Sequence, residues 1–227
     1  TAVAVSTEGG DAQAPEAAAP VRANGEAEVE VGAPSCTPLT TGAMDVASTA
    51  LNPARTRAVF VGVAWEQRRP QSNALYLLDL QAGGIRRIDD GAQRGYDQAA
   101  FLDDETVIVS AADMDRYGLN ENPRFFRIDL EEGRMRLITP ELDLAPENRI
   151  NSDCRYGTTP AVRFRVEENY LYFVATLQER SVLHRLDREG VVERLGVAGE
   201  SIDAFDIHSR HVVFVGIAPT RAQELFS

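Results

Sequence analysis

The stretch LYLLDLQAGGIRRID (Leu75–Asp89) decides the fold, because the chain repeats its pattern twice more. The second copy is FFRIDLEEGRMRLIT (Phe125–Thr139) and the third is LHRLDREGVVERLG (Leu183–Gly196). Each copy has an apolar strand, an Asp, a turn that contains Gly, and a second strand with basic and aliphatic residues. Asp at the start of a turn and Gly where φ is positive are typical of tight turns between antiparallel strands. The pattern therefore predicts a β-hairpin in each copy.

A second pattern alternates strictly with the first. It consists of an apolar strand, a turn and another apolar strand that ends in a small residue, and its copies end at Gly62, Ala111, Ala175 and Gly216. Together the two patterns give four short strands in roughly 40 to 50 residues, which is the period of a β-propeller blade. The sequence therefore predicts an all-β fold with almost no helix, a partial β-propeller of about four four-stranded blades. The aromatic residues of the strands are predicted to pack between the blades; they are Phe60, Tyr76, Phe101, Phe126, Phe173, Phe205 and Phe214.

The ends of the chain carry incomplete copies of the repeat. We expect three whole blades, most of a fourth blade that ends at QELFS (Gln223–Ser227), and the outer half of another blade at CTPLT (Cys36–Thr40). A closed ring has about four to eight blades, so we expect residues 1–227 to form one propeller domain or a fragment of one, an arc of a larger propeller. Incomplete blades expose edge strands that pair readily with other chains, which predicts a possible homo-oligomer through those edges.

Residues 8–26 differ in composition from the rest of the chain. They are mostly Ala, Pro, Gly and Glu, and they lie between two short alternating runs, TAVAVST and EAEVEV. A segment with so little to bury cannot offset the entropy lost on ordering. We therefore expect a disordered acidic loop inserted in a hairpin.

The composition excludes several classes of partner. The chain of 227 residues has 35 acidic and 23 basic side chains and a formal charge of −12, which disfavours binding to nucleic acid or to an anionic membrane. Its apolar runs fall well short of the roughly 18 residues that a membrane span requires. The two cysteines, Cys36 and Cys154, lie in unrelated contexts, which indicates free thiols and a cytoplasmic protein.

Sequence motifs for catalysis and metal binding are missing. The chain has no G-x-S-x-G nucleophile elbow, no H-E-x-x-H or C-x-x-C pair and no phosphate-binding glycine loop. We expect His184, His208 and His211 to be exposed residues of strands and turns. The sequence therefore predicts no catalytic residue, no metal site and no cofactor in this chain.

Three aspartates mark the start of predicted innermost strands, Asp45, Asp97 and Asp203. If these strands line a channel, the carboxylates would cluster at one mouth and attract a cationic group such as a peptide amino terminus. The alternative is that each Asp caps its own turn. Arginines on predicted loops are candidates for binding substrate carboxylates: Arg94, Arg116, Arg149 and Arg155.

The repeat resembles the propeller of a known enzyme family. ALNPARTRAVFVG (Ala50–Gly62) followed by ALYLLDLQAGGIRRI (Ala74–Ile88) is similar to the blades of prolyl oligopeptidase-family serine peptidases, especially the acylaminoacyl-peptidase and dipeptidyl-peptidase-like bacterial branch. RMRLITP (Arg134–Pro140) matches the blade ending of that family. The departure is that no copy keeps the family's S-P-D-G turn, where LNPART, LDDET and IHSRH stand instead.

The resemblance implies a non-catalytic role for this chain. In that family the propeller precedes an α/β-hydrolase domain with the catalytic Ser, Asp and His, so we expect that domain C-terminal to this chain and absent from it. The resemblance implies that the propeller gates access to the active site and helps to recognise short peptides. It also implies that the enzyme needs no cofactor. A stand-alone propeller that serves as a protein-binding scaffold is the main alternative, and an enzyme built into the propeller itself is the third.

Overall fold

The structure is a computed structural model in which residues 37–40, 42, 44–65, 67, 70, 72–115, 118–156, 163–196 and 201–227 are described. The chain divides into two units, residues 1–38 and 39–227. The predicted loop at 8–26 lies outside the described residues, as does Cys36. Residues 37–40 form no strand, so the half blade expected at CTPLT is not seen there.

The first two blades are four-stranded antiparallel sheets whose strands follow chain order. The strands of the first blade are β1 Met44–Leu51, β2 Arg57–Ala64, β3 Ala74–Asp79 and β4 Ile85–Arg87. The strands of the second are β5 Arg94–Phe101, β6 Thr106–Asp113, β7 Arg124–Asp129 and β8 Arg134–Leu137. A single turn of 3₁₀-helix, Gly118–Asn120, precedes β7.

The third blade also has four strands, and the fourth has three in the described chain. The strands of the third blade are β9 Arg165–Glu167, β10 Tyr170–Leu177, β11 Arg180–Leu186 and β12 Val192–Arg194. The strands of the fourth are β13 Ser201–His208, β14 His211–Ala218 and β15 Arg221–Phe226. Among the described residues there is no α-helix, and no helix that could cross a membrane.

The blades stack through alternating apolar side chains. In β7, Phe126 packs in the cluster shared with the first blade, whereas its neighbour Phe125 packs in the cluster shared with the third. This is the period of two that a strand imposes, in which successive side chains point to opposite faces. Each fully buried Phe or Leu stabilises the stack by about 1.5–3 kcal/mol. The predicted packing role of the strand aromatics is confirmed at Phe60, Phe101, Phe126, Phe173, Phe205 and Phe214, which are all buried, and Tyr76 is partly buried.

The first strands of successive blades, β1, β5, β9 and β13, contact one another in turn, so they share one axis. In the described part of the chain the sheets form an arc and do not close into a ring. The fold is thus the partial β-propeller that the repeats predict. β15 pairs only with β14 among the described strands, and the pairing of such an edge with a second copy stays a prediction.

The Asp in each copy of the first sequence pattern caps its own turn. Asp79 Oδ1 accepts hydrogen bonds from the backbone N–H groups of Gln81 and Ala82, both at 2.9 Å. These bonds lower the pKa of the Asp79 carboxyl. Asp129 makes the same pair of bonds in the second blade. In the third blade Asp187 Oδ1 accepts from the N–H groups of Glu189 and Val191, two and four residues further along the chain. The repeated Asp is therefore explained by local turn chemistry.

In the first, second and fourth blades, the small residue that ends the second strand faces a β-bulge in the first strand. Gly62 pairs with Val46 beside a bulge in β1, and a Cβ on Gly62 would lie 2.8 Å from the backbone oxygen of Asp45. Ala111 and Gly216 pair beside the corresponding bulges of β5 and β13. A bulge bends the strand, and at Gly62 a larger side chain would collide with the backbone of β1.

Polar contacts join neighbouring blades at the rim that carries the turns between their first and second strands. Asn52 Nδ2 donates to Asp104 Oδ1 at 2.7 Å, which links the first blade to the second. Arg188 of the third blade forms an ion pair with Asp103 of the second. The backbone N–H of Ser209 in the fourth blade donates to Glu167 Oε1 at 2.8 Å. The turns therefore fix the spacing of the blades at this rim.

One of these turns carries backbone strain, which gives a prediction. Ser209 and Arg210 have φ values of 49° and 68° and form the two-residue turn between β13 and β14, where Gly is favoured at the second position. We expect the Arg210→Gly variant to be about 1 kcal/mol more stable to urea than the Arg210→Ala variant. Both variants remove the exposed ion pair with Glu168, so equal stabilities would contradict the assignment of strain.

Candidate functional site

The innermost strands of three blades line a shared cavity of about 540 Å³. β1 contributes Val46–Ala50, β5 contributes Asp97–Ala100, and residues 163–165 come from the start of the third blade. The Gln98 side chain holds the third-blade segment in place, since its Oε1 accepts the Phe164 N–H at 3.1 Å. The cavity therefore lies on the axis of the arc, with a carboxylate, an amide and guanidinium groups in its wall.

The strand registers align two of the three predicted aspartates. Asp97 and Asp203 occupy the bulges of β5 and β13, each one residue after the partner of the small residue. The equivalent position of β1 is Ala47, so Asp45 stands two residues too early to match them. Sequence spacing placed Asp45 with the others because a bulge cannot be located from the number of residues alone.

Asp203 and Arg155, both predicted as substrate contacts, bind each other. The Arg155 guanidinium makes a two-point ion pair with the carboxylate, Nε to Oδ2 at 2.8 Å and Nη2 to Oδ1 at 2.6 Å. Their side chains are only 2% and 1% exposed. This buried pair joins the loop before β9 to the bulge of β13, and it therefore ties the third blade to the fourth. A role for either residue in gating stays a prediction.

Two amides complete the surroundings of Asp203. Asn148 Nδ2 donates to Asp203 Oδ1 at 2.8 Å, and Gln223 Nε2 donates to Asp203 Oδ2 at 2.8 Å. Arg155 also donates from Nη1 to the Ile150 oxygen at 2.7 Å. Burial by itself would raise the pKa of Asp203, but the bonds from Arg155, Gln223 and Asn148 outweigh it and hold the pKa below its usual value. The network keeps the carboxylate ionised.

Asp97 has the opposite electrostatic environment. Its side chain reaches solvent at the axial cavity, but the surrounding strands restrict its hydration and the Glu147 carboxylate is near. Partial desolvation and the repulsion from Glu147 raise the pKa of Asp97, and Gln98 and Arg149 offset only part of that rise. Asp97 is thus an exposed axial carboxylate whose charge its surroundings compensate only in part, and it would gain from a bound cation.

Two other arginine candidates, Arg94 and Arg149, do not line this cavity. Arg94 begins β5 instead of lying on a loop, where it forms an ion pair with Asp90 at 2.8 Å and covers the ring of Phe126. Arg149 Nε binds the neighbouring Glu147. Arg116 lies outside the described residues.

A second groove, of about 730 Å³, lies where the third blade meets the fourth. Asp153, Glu179 and Arg155 contribute its charged groups. Because Arg155 is already neutralised by Asp203, the carboxylates of Asp153 and Glu179 give this groove a net negative character. The arrangement suits a cationic group.

The histidines do not form a catalytic site. His184 was expected to be exposed, and that expectation is wrong, since it is buried at 3% exposure and stacks on Phe173. Its Nδ1 lies 2.9 Å from the Val182 oxygen, and burial lowers its pKa. Within the described residues, no group of His, Cys, Asp and Glu could hold a metal ion.

Sequence comparison gives no match to a protein-family model or to a curated protein. Comparison of structures does give matches. TolB from Acinetobacter baumannii is 17% identical with a TM-score of 0.52 over 82% of this chain, and a puromycin-hydrolysing peptidase from Mycobacterium tuberculosis is 17% identical with a TM-score of 0.57 over 82%. The β-propeller domain of the trilobed protease from Pyrococcus furiosus is 16% identical with a TM-score of 0.53 over 78%.

This chain spans 41% of the length of TolB, 28% of the Mycobacterium peptidase and 51% of the trilobed-protease propeller. At these identities the likeness shows the fold. It confirms that the repeats of this chain resemble the propellers of prolyl oligopeptidase-family peptidases. The described part of the chain is therefore a partial β-propeller of the kind found in those peptidases and in TolB.

The buried pair gives a prediction about stability. Asp203→Asn leaves the Arg155 charge buried without a counter-ion, so we expect a loss of about 3–5 kcal/mol in the free energy of unfolding by urea. The control is Glu132→Gln, which breaks the exposed pair with Arg136 at 3.2 Å and should change that free energy by less than about 1 kcal/mol.

The same pair sets a dependence on pH. Because the pKa of Asp203 is below the usual 3.8 in the folded state, its contribution is present above that value and is lost as the pH falls through the folded pKa. The acid loss of stability should therefore be smaller in the Asp203→Asn variant than in the wild type. Equal losses in the two proteins would contradict an ionised Asp203.

Proposed function

We propose that this chain is the non-catalytic propeller portion of a serine oligopeptidase of the acylaminoacyl-peptidase type, active in the cytoplasm on short peptides. The observation that carries the proposal is the match of most of this chain to the propellers of several peptidases, with a TM-score of 0.57 for the Mycobacterium enzyme. The chain spans only about a quarter to a half of those peptidases or propeller domains. A C-terminal hydrolase domain would supply the catalytic residues.

The proposed role of the propeller is to filter and orient peptides. The axial cavity is polar, and its size, about 540 Å³, is within the range of small-molecule and peptide pockets. The Asp97 carboxylate and the net charge of −12 would attract a cationic group of a peptide, such as a basic side chain or, in substrates that are not acylated, the amino terminus. The rigid stack of blades would exclude folded proteins from a catalytic site behind the channel.

A second candidate function is a protein-binding scaffold without a hydrolase domain. The edge strand β15, which pairs only with β14 among the described strands, supports this second function because an unpaired edge can bind another chain. The two functions differ in one property, because only the peptidase reading requires a reactive serine in the same polypeptide.

The first test therefore uses the intact gene product and the 227-residue chain side by side. We expect a fluorophosphonate probe to label the intact protein and not this chain, because the nucleophile would lie in the hydrolase domain. Cleavage of a chromogenic acyl-peptide should follow the same pattern. If neither protein is labelled, the peptidase proposal fails and the scaffold takes its place.

A second test concerns Asp97 in the intact enzyme. We expect Asp97→Asn to raise KM about three- to tenfold for short peptides with a free amino terminus, because an ion pair with the ammonium group is lost. The KM for N-acylated peptides should be unchanged. Asp115→Asn, an exposed residue of the loop after β6, is the matched control, and an equal effect of both substitutions on KM would contradict recognition by Asp97.

A further inference from the structure

The second blade contains a small cavity of about 190 Å³ that the proposed function does not use. It lies at the rim where β5 and β7 begin and β6 and β8 end. Phe126 and Met135 give it an apolar side, and Arg94, Glu121 and Arg124 give it a charged side. At this volume, below the range of about 300–1,000 Å³ for drug-sized ligands, it would accept only a compact molecule.

The Nη2 atoms of both arginines already form ion pairs with carboxylates. Arg94 Nη2 is 2.8 Å from Asp90 Oδ2, and its guanidinium carbon is 4.5 Å from the centre of the Phe126 ring. Arg124 Nη2 is 3.4 Å from Glu121 Oε1. The strand register holds both arginines beside β6, since Arg94 lies opposite Asp113 and Arg124 lies opposite Ala111. The side chains are thus fixed by packing and by ion pairs.

Other polar atoms of the same side chains have no hydrogen-bond partner. Arg94 Nε, Arg124 Nε and Glu121 Oε2 are buried and have no hydrogen-bond partner. The Glu121 side chain is only 7% exposed. Buried polar atoms are nearly always hydrogen-bonded in proteins, so two N–H donors and one carboxylate acceptor beside one cavity indicate a missing partner.

The charges of the cavity wall limit what that partner is. Arg94 and Arg124 oppose a metal cation, and the three carboxylates of Asp90, Asp113 and Glu121 oppose a free anion. An α-amino acid satisfies both groups, since its carboxylate accepts from two guanidinium N–H donors and its ammonium donates to a carboxylate. We propose that this cavity is a binding site for a small apolar α-amino acid, held as the zwitterion by Arg94, Arg124 and Glu121.

The test is calorimetric titration of the intact protein with L-alanine and L-valine, beside N-acetyl-L-alanine and L-alaninamide. We expect saturable binding of a free amino acid, and at least about a tenfold loss of affinity for the two blocked analogues, since each lacks one charged group. If the blocked analogues bind as tightly as the free amino acid, the proposal that the ligand is held as a zwitterion is wrong. No heat or thermal shift with any of the four up to about 10 mM would show that the cavity holds water only.

Variants assign the contacts. Glu121→Gln keeps the size of the side chain but removes its charge, and we expect it to weaken amino acid binding by about tenfold or more. The matched control is Glu132→Gln on the exposed side of the same blade, which should bind as the wild type does. Unchanged affinity in Glu121→Gln, in a variant whose circular dichroism shows the native fold, would overturn the assignment. Peptidase activity does not enter this test, so it stands or falls separately from the proposed function.

Discussion

The structure depends on covering both faces of every sheet. A four-stranded sheet of this composition has apolar side chains on both faces, because its strands carry them at successive positions such as Phe125 and Phe126. Water on either face would oppose folding, so each blade requires a neighbour on each side. The repeat in the sequence is the consequence, since blades in equivalent surroundings need equivalent residues.

Polar contacts then determine how the blades are joined, and they differ between the two rims. At the rim of the turns between the first and second strands, solvent-accessible ion pairs such as Arg188 with Asp103 link neighbouring blades. At the opposite rim a fully buried ion pair, Arg155 with Asp203, joins the third blade to the fourth. Exposed contacts contribute little to stability individually, whereas a buried pair makes the junction intolerant of any change that removes one partner.

Arg155 and Asp203 hold two blades together, and the recognition surface that we propose is the axial wall around Asp97. An exposed carboxylate with a raised pKa and a nearby Glu147 responds to a cation more strongly than one that is already paired. The small cavity of the second blade differs from the axial wall, because its arginines already form ion pairs with carboxylates. In that cavity the charged groups have partners on one side only, and the unsatisfied atoms are buried.

The sequence by itself determined the hairpins, the alternation of the strands and the turns at Asp79, Asp129 and Asp187, because each depends on residues that are close in the chain. It also determined the stacking role of the aromatic residues, since a period of two with apolar side chains on both faces leaves no other arrangement. Only the tertiary structure decided that Arg155 pairs with Asp203, which lie on different blades. It also decided that the β1 bulge displaces Asp45 from the register of Asp97 and Asp203, and that His184 is in the core. These outcomes depend on how strands meet across blades, and contacts between residues far apart in the chain leave no local pattern in the sequence.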